Sequence, residues 1–536
     1  LHKKSPELIS NQKCFLSATT DLLFESVVYQ LVNMLSAGLL TALLCLYIFY
    51  KYLKNSEVKS KLGKLKTVPS LPLIGHAHKL GWAKEDFLPA IRSIWEKCGR
   101  DKFLLKIGTS NQVVITKPKD VETILSSNTQ LEKNELYENY KDLTGESIIT
   151  HEQKRWRHVK KVLSPAFSYK FLEGYLEIFR HEVDFLKADL MVKSDVEIDI
   201  FPIFYTRALQ TICRAGMAFD FNVDINFQRY IEILDKAISL VNGRIFSMWK
   251  SIRFLYNLSV EGKEFKRTVE DLHNIKETII NVKRKELQDV ITEIELGKKT
   301  IQQIIKNKKV ITFMELLLLS KNSEGEMFSN KEITSELITL IFAGHETVAT
   351  GAAFAAYCLA NNPQVQEQAF DEQTAICSGD FNRPITMSDI HNMKYLDCII
   401  KETLRLFGPG VYFGRRLTET TIMADGIELP AGTNILLLPV LSHRDPDVFP
   451  DPDKFDPSRF QHNHPNQYKY YPFSAGPRNC IGNKWGMLEI KFWIASILRS
   501  FVLIPAEGEP PKLIVEVVLK SMTGVKVRCK PRVSAE

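Results

Sequence analysis

At 536 residues, with 45% hydrophobic and 25% charged residues, the chain has the composition of a large globular protein. A net charge of +7 is mild for that length and too diffuse for nucleic-acid binding, which needs a basic stripe on one face. The nine cysteines form no C-x-x-C pair, which excludes a zinc ribbon or a redox dithiol, and an odd count at irregular spacing suits a reducing compartment.

No repeat and no interior glycine–serine linker divides the chain, so one domain is expected behind an N-terminal anchor. Residues 1–30 read as an extension of uncertain origin. They are polar and patternless, start at Leu1, and precede Met34, which stands just ahead of the most hydrophobic run. Leu31 to Tyr50 carry no charge, and twenty helical residues rise about 30 Å, the thickness of a bilayer core. Lys51, Lys54, Lys59, Lys61, Lys64 and Lys66 follow, so the positive-inside rule puts this flank and everything after it on the cytosolic side. The sequon Asn257-Leu-Ser259 is then expected to carry no glycan. Residues 51–73 form a basic, proline-containing linker in which Pro69 and Pro72 stiffen the chain, and 74–536 form the domain.

Within the domain, Lys154, Arg155, Arg157, Lys160 and Lys161 make a basic cluster, read either as a docking face for an acidic protein or as a solvated helix face. The stretch from Ile245 to Tyr256 mixes large apolar and basic residues, a composition suited to the bilayer interface. Ser329-Asn-Lys-Glu332 is a capping box, and the apolar segment it opens runs to Asn361-Asn362-Pro363, predicting a helix of about 45 Å. Mid-helix stands Ala343-Gly344-His345-Glu346-Thr347. Thr347 is expected to bond back to the carbonyl of Ala343, with a local bulge at Gly344. His345-Glu346 resembles the start of an H-E-x-x-H zinc helix, but residue 349 is alanine and the second ligand is missing. Glu402 and Arg405 lie three apart on one helix face. Gly408, Gly410 and Gly414 miss the G-x-G-x-x-G spacing by one residue, so no nucleotide site is indicated.

The densest motif is Phe473-Ser-Ala-Gly476-Pro-Arg478-Asn-Cys480-Ile-Gly482. It resembles the haem-binding loop of the cytochrome P-450 superfamily, and the likeness covers roughly residues 68–530. The runs at Leu240–Leu258 and from Lys309 look most like the fatty-acid ω-hydroxylase and insect lineage, the fourth clan. The resemblance implies a mainly α fold with a minor β region, and Cys480 as axial thiolate ligand of the haem iron. Gly476 and Gly482 would let amide N–H groups point at the sulfur, and the dipole of the helix after it would favour the thiolate. Phe473 would shield the sulfur and Arg478 would pair with a propionate. Glu346 and Thr347 match an acid–alcohol pair that relays protons during oxygen activation. Glu402, Arg405 and Arg459, the last from Phe455-Asp-Pro457-Ser-Arg459-Phe460, match a buried triad that fixes the cysteine loop. Trp156 and Lys160 stand in a W-R-x-x-R helix that holds a propionate, with lysine at its last position in place of arginine, and Arg415 is a further propionate contact.

The implied activity is insertion of one oxygen atom from dioxygen into a lipophilic substrate. Electrons would come from NADPH through a separate reductase, with cytochrome b5 as a second partner, at the endoplasmic reticulum membrane. Two alternatives stand beside it: a haem-thiolate isomerase or dehydratase working without a reductase, and a non-catalytic membrane haem-binding protein. The cofactor is expected to be haem b, non-covalently held apart from the Cys480 coordination. Ala343 occupies the place where many relatives carry a glutamate that can esterify the ring.

Overall fold

Ser329 caps its helix as its spacing predicts: its hydroxyl accepts from the Glu332 amide, and the Glu332 carboxylate accepts from the Ser329 amide at 2.8 Å. From this reciprocal cap a 31-residue helix, Asn330–Ala360, runs unbroken to the turn before Pro363. By length and hydropathy it would pass for a membrane span, but it is the buried core of the domain. In the computed structural model, the residues described are 62–532 except 73, 82, 109, 218–226, 246, 248–249, 251 and 462–465. The expected extension and anchor, 1–30 and 31–50, lie outside them. The chain divides into two units at Lys64/Leu65, and the second, Leu65–Glu536, holds the helices and strands that build the site.

Those helices are α1 (Gln153–Leu163), α2 (Phe201–Met217), α3 (Phe227–Ile245), α4 (Val260–Glu286), α5 (Asn330–Ala360), α6 (Lys394–Phe407) and α7 (Asn483–Ser500). α2, α4, α6 and α7 all pack against α5. The strands are β1 (Phe103–Ile107), β2 (Ser110–Ile115), β3 (Glu197–Asp199), β4 (Phe413–Arg416), β5 (Asn434–Leu437), β6 (Phe501–Pro505), β7 (Leu513–Val515), β8 (Leu519–Ser521) and β9 (Lys526–Pro531). The largest sheet has the order β1-β2-β5-β4: β2 and β5 run parallel, with Val114 opposite Leu436, and the outer pairs are antiparallel. β9 lies between β3 and β6, antiparallel to both, and β7 and β8 form a separate antiparallel pair. The fold is thus mainly helical with a minor sheet region.

Two expectations change here. The expected linker 51–73 already joins the domain from Leu65 on: the Lys66 carbonyl accepts from the Leu104 amide at 2.9 Å. The bulge expected at Gly344 is absent, and α5 is helical throughout. Glycine serves a different purpose there. A Cβ on Gly344 would meet the Ile212 side chain of α2 at 3.0 Å, so its absence lets the two helices approach. Thr347 does bond back to Ala343, at 2.7 Å, without breaking the ladder.

Candidate active site

A cavity of about 320 Å³ lies between the middle of α5 and the loop before α7. Its walls are largely apolar, from Ile212, Phe342 and Val348 to Leu404, and Cys480 is the one cysteine among its described lining residues. The six other described cysteines are buried and unpaired.

The loop bearing Cys480 can take only one course. Gly476 has φ +71°, and a Cβ there would sit 1.7 Å from the Leu125 carbonyl oxygen, so a side chain is excluded twice over. The Cys480 amide donates to the Phe473 carbonyl at 2.9 Å, which turns the thiol towards the cavity that Phe473 also lines. Gly482 caps α7, and its amide bonds to the sulfur. Burial raises the thiol pKa above its ordinary value, while the Gly482 amide and the charges of Lys160 and Lys133 pull it down. A metal cation at the sulfur would add to those opposing effects.

Cations surround this loop. Arg478, buried, donates to the carbonyls of Leu131 and His151, the latter at 2.6 Å. Arg415, on β4, is fully buried and bonds its own neighbour Gly414 at 2.9 Å. Burial and the Arg415 charge lower the Arg478 pKa to about 9, and burial lowers that of Arg415. Lys133 lines the same space and is pushed well below its usual value by burial and by both guanidiniums. None of these three has an ion-pair partner among the described residues, and Arg478 Nε has no hydrogen-bond partner. Such a set is costly to bury unless an anion joins it. Lys133 was not singled out from the sequence, where Leu-Glu-Lys-Asn carries no motif.

Lys160 lines the cavity and also bonds to the cysteine loop. Its ammonium donates to the Pro477 carbonyl at 2.6 Å and to Asn479 Oδ1 at 3.0 Å, clamping the cysteine loop. Trp156 stands between two cations, with Lys160 and Arg478 each 5.2 Å from its ring. The basic cluster on α1 therefore divides. Lys160 turns inward and Arg155 pairs with Glu332 at 2.5 Å, which leaves Lys154, Arg157 and Lys161 exposed.

Behind the loop, Glu402 receives Arg405 through two bonds of 2.7 and 2.8 Å, with Arg459 at 3.3 Å. Arg405 also donates to the carbonyls of His443, Pro452 and Lys454, so the triad ties three backbone segments together.

Opposite the thiol, Thr347 and Glu346 both line the cavity, but no hydrogen bond links them. Glu346 is 1% exposed and forms an ion pair with Lys520. Burial raises its pKa and Lys520 opposes that. His345 Nδ1–H donates to the Ile341 carbonyl at 2.6 Å, and no metal-holding cluster occurs among the described residues.

A thiol aimed at an apolar slot, with buried cations on one side lacking acids, suits a flat apolar ring system that carries a thiolate-seeking metal and acidic arms. Comparison with known proteins agrees. Residues 66–527 match the family described as Cytochrome P450. The chain is 33% identical to probable cytochrome P450 4e1 of Drosophila melanogaster, covering 84% of each chain. It is 32% identical to cytochrome P450 4V2 of Rattus norvegicus, covering 88% of this chain and 91% of that one. Among solved structures, the cytochrome P450DA heme domain aligns with TM-score 0.73 at 20% identity, over 88% of this chain and 98% of that one. These comparisons correct one expectation. Haem b stands, but its description as non-covalently held does not, because in the matched family a cysteine thiolate is bonded to the iron and that bond is the attachment.

Proposed function

The chain belongs to the cytochrome P450 family and is a haem monooxygenase related to its family-4 members; from that premise we propose that Cys480 supplies the iron thiolate and that the substrate is a lipophilic molecule drawn from the membrane. The observation that carries the assignment is the Cys480 thiol, aimed into the cavity and bonded by the Gly482 amide. When bound, the haem supplies redox chemistry at the iron, with the thiolate ligand favouring O–O cleavage.

The chain's own residues do the rest. Arg415, Arg478 and Lys133 would receive the acidic arms of the haem, and Trp156 and Phe473, which line the cavity, would help to hold it. Lys160 and the Glu402–Arg405–Arg459 cluster hold the cysteine loop in register. Thr347 opens its hydroxyl to the cavity, and the apolar wall excludes bulk water and orients an apolar substrate. Glu346 passes to the cavity the protons that the reaction consumes.

Electrons reach the site from NADPH by way of a partner reductase, since the sequence carries no nucleotide motif of its own. The exposed Lys154, Arg157 and Lys161 support a docking face for that acidic partner, with cytochrome b5 as a second visitor. The uncharged run 31–50 and the lysines that follow it support a location in the endoplasmic reticulum membrane with the domain on the cytosolic face. Neither a reductase-free isomerase nor a non-catalytic haem carrier gains support from any feature of the cavity. Replacing Cys480→Ser and recording the ferrous–CO spectrum tests the assignment. Loss of the long-wavelength Soret band is expected, and its survival means that another group holds the iron.

A further inference from the structure

Glu346 has a neighbour that no family motif would bring to it. β7 and β8 form a hairpin whose turn closes from the Glu516 amide to the Val518 carbonyl at 3.1 Å. Val517 and Val518 at its tip line the cavity. The Leu519 amide donates to Pro409 at 3.1 Å, which fixes the hairpin against the segment after α6. One residue further on, Lys520 projects its ammonium to Glu346 and, at 3.3 Å, to Glu516 Oε2. Apart from Lys520, neither oxygen of the buried Glu346 carboxylate has a partner among the described residues.

The chain of charges continues outward. Glu516 Oε1 pairs with Lys84 at 2.5 Å, and Glu516 Oε2 accepts from Asn242 at 3.2 Å. Lys84 is 53% exposed. An alternating series, Lys84–Glu516–Lys520–Glu346, thus runs from solvent to the cavity wall through contacts within ion-pair distance. We propose that Lys520 is a positioning residue that holds Glu346 ionised and charges it with protons that enter at Lys84 and pass through Glu516. This rests on Glu346 being the group that passes protons to the cavity. In each step one N–H or O–H bond breaks and another forms. The Lys84 ammonium gives a proton to the Glu516 carboxylate and is reprotonated by water; the Lys520 ammonium gives a proton to a Glu346 oxygen, and its freed lone pair takes the proton that Glu516 now carries.

Other titratable groups also face Glu346, and the series must act against them. Tyr205 comes from α2, Asp235 from α3, Tyr140 from the helix Glu138–Thr144, and His345 lies beside it on α5. Asp235 and Glu516 are both acids, so Lys520 is the cation that offsets them. Without it, burial and like charge both favour protonated Glu346.

Infrared titration of the haem-loaded protein, with the Glu346 carboxyl band assigned by Glu346→Gln, reads this directly. Wild type and Lys520→Arg are expected to show ionised Glu346 at neutral pH. In Lys520→Met the protonated band should appear there, with the midpoint moved up by about one to three units. Lys84→Met should leave that midpoint in place and raise the solvent isotope effect on product formation. Should Lys520→Met not hold haem, Lys520→Gln gives the same reading. A protonated Glu346 in wild type at neutral pH, or an unmoved midpoint in the Lys520 variants, overturns the inference. An intact ferrous–CO spectrum beside such a result leaves the Cys480 assignment standing.

Discussion

Behind the thiol, Arg405 directs its guanidinium to Glu402 and to three backbone carbonyls, whereas across the cavity the middle of α5 holds polar atoms with no partner. Among the described residues, the oxygens of Glu346 have only Lys520, and His345 Nε2 and Thr350 Oγ1 have no hydrogen-bond partner. The first region holds its geometry because Arg405 meets a carboxylate and three backbone carbonyls at once. The second is built so that protonation can change, because a carboxylate with one partner responds to whatever happens to that partner. Buried polar atoms are normally satisfied, so a cluster of exceptions marks the place where chemistry, and not stability, set the residues.

The contrast breaks most completely at Glu402. Glu402→Ala would leave Arg405 and Arg459 buried with no counter-charge, a loss of about 3–5 kcal/mol for a broken buried pair. The expected outcome is protein recovered mainly without haem and unfolding at markedly lower denaturant. Stability within about 1 kcal/mol of wild type, measured by urea midpoint, would show that the frame is not held by its charges.

Acid sharpens the contrast, since each region holds a histidine kept neutral by burial. His443, in the frame, accepts from the Tyr471 amide through Nε2 at 3.0 Å, and burial with the charges of Arg405 and Arg444 lowers its pKa to about 3. His345, on α5, is lowered to about 4 by burial. The unfolded chain binds protons at both histidines below about pH 6.5, while the folded chain does not. Stability is therefore complete above that pH and falls as pH drops, down to about 4 for His345 and about 3 for His443. His345→Gln and His443→Gln should each flatten the dependence of the urea midpoint on pH between 7 and 5. An unchanged slope in both would mean that neither ring is held neutral.

What could be read in the sequence depends on how far apart the interacting residues lie. The cap at Ser329 and the back-bond of Thr347 are local, and their reasons lie within a few residues; glycine at 476 is needed for its local φ and also for the close approach of Leu125. The pairing of Glu402 with Arg405 is one helical turn. Arg459 joins them from more than fifty positions away, and only a family likeness pointed to it. Lys520 could not be found in this way: it sits on a short strand in an unremarkable Val-Val-Leu-Lys run, and it meets Glu346 only because the hairpin is pinned to Pro409. Lys133 is silent for the same reason. The parallel pairing of β2 with β5 joins segments over three hundred residues apart, which periodicity cannot register. The sequence misjudged Gly344 and did not show the loop contacts of Lys160. Lysine's single ammonium found backbone oxygen on the cysteine loop, and the glycine made room for a neighbouring helix.

The smallest effect tests whether the two regions are as independent as their bonding suggests. Ser329 starts α5, and its hydroxyl accepts from the Glu332 amide at 3.3 Å. Glu332 keeps its own bond to the Ser329 amide and its pair with Arg155 whatever side chain stands at 329. Ser329→Ala therefore removes one acceptor at an exposed helix end, a change of about 1 kcal/mol, and Ser329→Gly only a few tenths. Glu346 lies seventeen residues beyond Ser329, about 26 Å at 1.5 Å per residue. A fraying first turn should not reach it, since the intervening turns are buried against α2 and α4. The expected result is a slightly lower Tm with the ferrous–CO spectrum and the Glu346 titration both unchanged. A shifted titration would mean that α5 moves as a rod, so that its cap tunes the acid from a distance and the cavity wall is no more local than the frame behind the thiol.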